Sequence, residues 1–267
     1  MTSPWAIAER LDPLGLAELE GSGAALLDRV DRKYVVGVET FATLAERLAD
    51  SHRVLEISGV RTFRYCTAYY DTPGLDAYRD HVQRRRRRYK CRSRRYEDSG
   101  LCAFELKLKG ARGRTVKYRM PYADDLHGSL SPEAIRFLHE HLLRAYARAP
   151  GEGLVRSLDM SFRRLTLASL ERGERLTADF DLAFAGGPAG AGGHLAEGAV
   201  IVESKSPRGG ARADRVLREL GVRPTESCSK YCLGIGMTRP GLPANAFRRL
   251  LSRWFVPHEI EGAVQPL

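Results

Sequence analysis

Residues 84–109 read RRRRRYKCRSRRYEDSGLCAFELKLK, and the architecture is easiest to read outward from them. Side chains alternate faces along a strand, so parity assigns each residue to a side. In 84–94 the even positions Arg84, Arg86, Arg88, Lys90, Arg92 and Arg94 are all basic. In 104–109, Glu105, Lys107 and Lys109 oppose Phe104, Leu106 and Leu108. Residues 114–120 supply a hairpin partner, with Lys117 and Arg119 opposing Val116, Tyr118 and Met120. Strands with one apolar and one charged face belong in an antiparallel sheet.

The same pattern recurs along the chain. Residues 29–36 set Arg29, Asp31 and Lys33 against Val30, Arg32, Tyr34 and Val36. Further strands are expected over 60–70, 156–168, 174–184 and 199–206, and SKYCLGIG at 229–236 reads as a strand-like or turn segment. Arg164 shares a face with Phe162 and Thr166; Arg175, Thr177, Asp179 and Asp181 oppose Leu176, Ala178, Phe180 and Leu182; Glu203 and Lys205 oppose Val200 and Val202.

Helices are expected at 3–20 behind Ser3 and Pro4, after Thr40, at 132–148 behind Ser131, at 211–220 and at 244–255. Ile135, Leu138 and Leu142 fall on one face of the fourth segment's predecessor, the helix from 132. A Gly/Ala/Pro-rich stretch at 185–198 reads as a flexible insert. The mixed order of elements predicts an α+β fold in one domain spanning 1–267. Its core runs from about 28 to 236, with the helices 3–20 and 244–255 packing outside.

The chain has 267 residues, 43% of them hydrophobic, enough to bury a core and exclude wholesale disorder. No apolar run approaches the roughly 18 residues of a membrane span, and no leader is expected at MTSPWAIAER. Five cysteines without a CxxC pair argue against a disulfide framework or zinc knuckle, and a reducing cytoplasm fits. The net charge of +10 points to a polyanionic partner. Only 7 basic residues are Lys, and each lies in or beside a strand-like segment.

Each charged face alone is best read as a solvated sheet surface. Together they suit a closed barrel with helices outside and a lumen lined by Arg and Lys. Such a lumen would repel itself when empty and would match a chain of phosphates, whose oxygens fit Arg forks bidentately. Carboxylates among the cations could hold a divalent metal against phosphate oxygens.

Several segments resemble one family in order. They are DRKYVV, YYDTPGLDAYRDH, KCRSRRY, FELKLK, FRRLTL with ERLTADFD, VIVESKS and SCSKYCLG, from about residue 28 to 236. They resemble the VTC (vacuolar transporter chaperone) polyphosphate polymerase domain, within the triphosphate tunnel metalloenzyme (CYTH-like) superfamily. The resemblance implies an eight-stranded antiparallel β-barrel tunnel with amphipathic helices packed outside. It implies transfer of the ATP γ-phosphate to a growing inorganic polyphosphate chain, with Mn²⁺ or Mg²⁺. By motif, Lys33, Arg92, Arg94, Lys107, Arg164, Arg175 and Lys230 would bind phosphates as catalytic residues. Arg88, Lys90, Lys205 and Ser229 would add substrate contacts, Glu203 would hold the metal, and Glu105 would be a second carboxylate.

There are departures. Related triphosphatases and class IV cyclases carry E-x-E-x-K on the first strand, where this chain has Arg29-Val30-Asp31-Arg32-Lys33. That favours the polymerase branch. A family tyrosine is replaced by Phe162. Fungal members join the domain to a sensing module and membrane helices; sensing and translocation, if they occur here, would need other proteins, such as a separate membrane-protein partner. The competing readings are a triphosphatase on the same fold, a non-catalytic polyphosphate-binding module and, from the basic tract alone, nucleic-acid binding. No helix-turn-helix or RNP-like pattern supports the last, and no nucleic-acid partner is expected.

Overall fold

Alternation of apolar and charged residues builds the strands, and Ser, Pro and Gly set where helices begin. A computed structural model describes residues 3–22, 30–110 and 115–258. Arg29 and the hairpin turn around 111–114, both included in the sequence reading, lie outside the described residues. The fold is α+β, with eight helices and one large, almost entirely antiparallel sheet among those residues. No helix there is long and apolar enough to cross a membrane.

Two units divide the chain. The first comprises Met1–Arg64, Phe162–Leu182 and Leu195–Cys228; the second comprises Tyr65–Ser161, Ala183–His194 and Ser229–Leu267. The chain order in the first is α1 (Pro4–Glu9), β1 (Pro13–Gly15), α2 (Leu16–Glu20), β2 (Val30–Gly37), α3 (Val38–Leu48) and β3 (Arg53–Glu56). Strand β4 (Thr62–Asp71) leads into the second unit, with α4 (Asp76–Val82), β5 (Tyr89–Tyr96), β6 (Leu101–Lys109), β7 (Thr115–Pro121) and α5 (Pro132–Tyr146). Strands β8 (Val155–Ser169) and β9 (Glu174–Ala185) contribute to both units, and β10 (Gly193–Leu195), β11 (Ala199–Ser206) and α6 (Arg212–Glu219) follow. The chain continues through α7 (Lys230–Thr238), α8 (Arg248–Trp254) and β12 (Phe255–Pro257).

Hydrogen-bonded strands follow the order β12-β10-β9-β8-β4-β5-β6-β7, with β11 between β2 and β9, and β3 between β1 and β8. Only β1 with β3 is parallel among the registers described. Among the described residues β7 pairs only β6, and β2 only β11, so the pairing does not run round into a closed barrel.

In the first unit, Tyr34, Val36, Leu176, Ala178, Val200 and Val202 turn to a core closed by Phe41, Leu44 and Leu48 of α3 and by Val216 and Leu217 of α6. In the second, Cys91, Phe104 and Leu106 pack with Ala134, Leu138 and Leu142 of α5. Ser131 caps α5 by accepting the Ala134 N–H, with Pro132 opening the helix. Ile135, expected on the buried face, is exposed; Ala134 takes its place.

Other boundaries also differ from the sequence reading. The helix expected over 3–20 is two short helices, because Pro13 and Gly15 place β1 between them. Gly37, not Thr40, is the N-cap of α3. The strand expected from 84 begins at Tyr89, so Arg84–Arg88 precede it. The insert at 185–198 contains a 3₁₀ turn, Pro188–Gly190, and β10. Residues 230–238 form helix α7 rather than a strand. Short apolar runs do not reveal their period, and here Ser229 caps the helix by accepting the Cys232 N–H. Gly234 lets α7 lie close against the second unit's strands: a Cβ there would meet Leu158 Cδ2 at 2.4 Å and Phe184 Cδ1 at 2.7 Å.

Candidate functional site

Each unit presents one polar sheet face, and each face carries residues singled out by the sequence. In the first unit, register puts Lys33, Glu203 and Thr177 in one row of β2, β11 and β9. The next row is Asp31, Lys205 and Arg175. Facing residues in an antiparallel pair share a side, so these six stand together opposite the core.

The contacts within this face are specific. Lys205 is buried, and its Nζ donates to Glu203 Oε2 at 3.0 Å and Thr177 Oγ1 at 3.2 Å. Burial pushes the Lys205 ammonium down to about 8, although Glu203 opposes the shift. Arg164 Nε and Nη2 donate to the two oxygens of Asp179 at 2.5 and 2.8 Å, and Asp179 is wholly buried. The Arg164 guanidinium lies 5.3 Å from the Phe162 ring centroid, so the aromatic body survives where the family hydroxyl does not. Lys33 Nζ donates to the Cys228 carbonyl at 2.9 Å.

In the second unit, register aligns Tyr69, Arg92, Glu105 and Arg119 across β4, β5, β6 and β7. Lys90, Lys107 and Lys117 form the adjacent row, and Thr67 faces Arg94. Arg92 Nε and Nη2 donate to Glu105 Oε2 at 2.7 and 2.5 Å, and its Nη1 donates to the Tyr69 hydroxyl at 2.9 Å. Lys117 pairs with the other Glu105 oxygen. Arg94 Nε donates to Thr67 Oγ1 at 3.1 Å, and its guanidinium lies 5.3 Å from the Tyr65 ring centroid.

Glu105 has no exposure. Burial alone would raise its carboxyl, yet Arg92, Arg94 and Lys117 hold it well below the usual carboxylate range. Burial would also raise the Tyr69 phenol, and Arg92, Arg94 and Lys90 lower it instead. Lys90 Nζ donates to Ser229 Oγ at 3.1 Å, which joins β5 to the start of α7. Lys230 is the first residue of that helix.

Twelve of the thirteen expected site residues therefore stand on these two faces or at the start of α7. Arg88 does not; it precedes β5 and donates to the Arg85 carbonyl. Lys230, read in a strand-like or turn segment, stands on a helix. Thr177, Asp179, Lys117 and Tyr69 were not singled out as site residues. Tyr69 became visible only through cross-strand register, whereas Lys117, Thr177 and Asp179 already stood on the charged faces by parity.

No cluster of three His, Cys, Asp or Glu side chains forms a ready-made metal site among the described residues. Both Glu105 oxygens face cations, which makes that carboxylate a poor metal ligand. Glu203 is half-buried with one oxygen on Lys205. A single hard carboxylate of this kind fits Mg²⁺ or Mn²⁺ when substrate phosphates and water complete the shell.

The chain is thus α+β, and each of its two units carries one sheet face rich in Arg and Lys. Residues 28–238 match the family model of the VTC domain, and the chain belongs to that family. No curated protein matches it. Among solved structures, a candidate adenylate cyclase from Vibrio parahaemolyticus is similar at 13% identity and TM-score 0.45, covering 77% of this chain and 97% of its own. A candidate adenylate cyclase from Bacillus halodurans shows 15% identity and TM-score 0.42, covering 76% and 95%. A candidate adenylyl cyclase from Hippeastrum, described as having a dominant triphosphatase activity, shows 16% identity and TM-score 0.41, covering 81% and 98%.

Proposed function

We propose that this chain is a polyphosphate polymerase that transfers the γ-phosphate of ATP to the end of an inorganic polyphosphate chain. The observation that carries the reading is the VTC-domain match over 28–238. The sheet faces supply matching chemistry in Lys33, Arg92, Arg94, Lys107, Arg164, Arg175 and Lys230.

Phosphoryl transfer between phosphates needs alignment and charge neutralisation more than covalent help. A terminal oxygen of the acceptor forms the new P–O bond, the β–γ bridging bond of ATP breaks, and ADP leaves with that electron pair. The acceptor oxygen is already ionised, so no general base is required. Arg and Lys side chains hold donor and acceptor in line, and their fixed charges meet the negative charge that develops on the leaving group. Lys205, Arg88, Lys90 and Ser229 add phosphate contacts. Glu203 would hold a Mn²⁺ or Mg²⁺, which would supply charge neutralisation for the phosphates.

The test is purified protein with ATP and Mn²⁺, resolving products on a polyphosphate gel and counting free phosphate in parallel. Long polymer is expected. Free phosphate without polymer assigns a triphosphatase, and neither product overturns the enzymatic reading in favour of a binding module.

A further inference from the structure

Asp71 ends β4, and Tyr231 is the second residue of α7. Both are buried, with 1% and 2% exposure. Asp71 Oδ1 accepts the backbone N–H groups of Thr72 at 2.8 Å and Ala77 at 2.9 Å, and Oδ2 accepts that of Tyr78 at 3.0 Å. The carboxylate is thus clamped by the first turn of α4. Tyr231 then donates its hydroxyl to Asp71 Oδ2.

Three N–H groups and the Tyr231 hydroxyl together fill the roughly four acceptor sites of the carboxylate. The Tyr231 bond also acts on position. It ties the opening turn of α7 to a point fixed by β4 and α4. The Tyr231 ring also packs on Tyr69 with centroids 5.0 Å apart, and the Tyr69 hydroxyl accepts from Arg92. The residues just before Tyr231 are Ser229 and Lys230, and Ser229 Oγ accepts from both Lys90 Nζ and the Cys232 N–H. Two ammonium-bearing side chains therefore serve the positive end of a helix whose first turn has no acidic residue.

We propose that Asp71 and Tyr231 are positioning residues that hold the Ser229–Lys230 turn, and its spacing from Arg92, in the geometry that receives phosphate. The inference rests on the reading of Lys230 as a phosphate-binding residue. Tyr231 acts through its neighbours and touches no phosphate.

The experiment is calorimetric titration of tripolyphosphate into the full chain, as wild type, Tyr231→Phe, Lys230→Ala and the double variant. Tyr231→Phe keeps the ring and leaves Asp71 bonded to α4, so it should stay folded, with a thermal midpoint lowered by the loss of one charge-assisted hydrogen bond. Each single change should weaken binding about tenfold, a coupling of the size of one buried hydrogen bond. The double variant should bind no more weakly than Lys230→Ala alone, because the positioned group is already gone. Wild-type affinity in Tyr231→Phe, or losses that multiply in the double variant, overturn the positioning role. Wild-type affinity in Lys230→Ala overturns the phosphate reading itself, and the inference with it.

Discussion

Arg92 and Glu105 stand directly opposite each other on β5 and β6, and the guanidinium grips one oxygen of a carboxylate that has no exposure. A charge buried this deeply is tolerable only while paired. Glu105→Gln leaves Arg92 without its counter-charge, so a loss of about 3 kcal/mol in chemical denaturation is expected. The folded Glu105 carboxyl is depressed, so its stabilisation is complete above its unfolded value of about 4.3 and is lost as pH falls towards the folded value. Denaturation between pH 5 and the acid limit should therefore be steeper for wild type than for Glu105→Gln. Equal slopes would refute the assignment of charge to this pair.

Lys205 gives a prediction of opposite direction. Its folded value of about 8 lies below its ordinary 10.5, so between these the unfolded chain binds a proton that the folded chain does not. Stability contributed by this group therefore rises with pH from about 8 to about 10.5. Lys117, also near 8, contributes in the same window, and the difference between wild type and Lys205→Met isolates Lys205. The alkaline rise in urea midpoint should shrink in Lys205→Met. An unchanged rise would mean that Lys205 titrates normally.

Arg164 binds both oxygens of Asp179, a fork that a lysine cannot reproduce. Arg164→Lys keeps the charge and loses the planar fit. Tripolyphosphate affinity, read by calorimetry, should fall about tenfold while the fold is retained. Binding equal to wild type would remove Arg164 from the phosphate contacts.

Much of this arrangement was legible because parity is a local property. The alternation of Phe104, Leu106 and Leu108 with Glu105, Lys107 and Lys109 reports the two sides of β6 without any knowledge of its partners. Register is not local. Nothing within β4 announces that Tyr69 meets Arg92, and nothing within β9 announces that Thr177 meets Glu203. Helix α7 was misread because Tyr231, Cys232, Leu233 and Ile235 are all buried, which erases the polar stripe that would show a period of 3.6. The arginine run misled in the other direction. Five like residues satisfy any periodicity, and only Tyr89 onward joins the sheet.

Glu203 and Glu105 separate two roles that the sequence assigned alike. Glu105 is surrounded by Arg92 and Lys117, whereas Glu203 is half-buried beside a lysine already shifted to about 8. Removing Glu203 leaves Lys205 able to shed its proton, which limits the cost of a buried charge. Glu203→Ala should therefore unfold close to the wild-type midpoint. It should lose metal-dependent turnover of ATP by at least about a hundredfold, the scale of losing one charge-stabilising group. Glu105→Ala should do the reverse first, with a marked fall in stability measured before any assay. Denaturation curves and Mn²⁺ titrations of activity on both variants give the comparison. Turnover near wild type in Glu203→Ala, or a Mn²⁺ requirement that shifts only in Glu105→Ala, would move the metal away from Glu203.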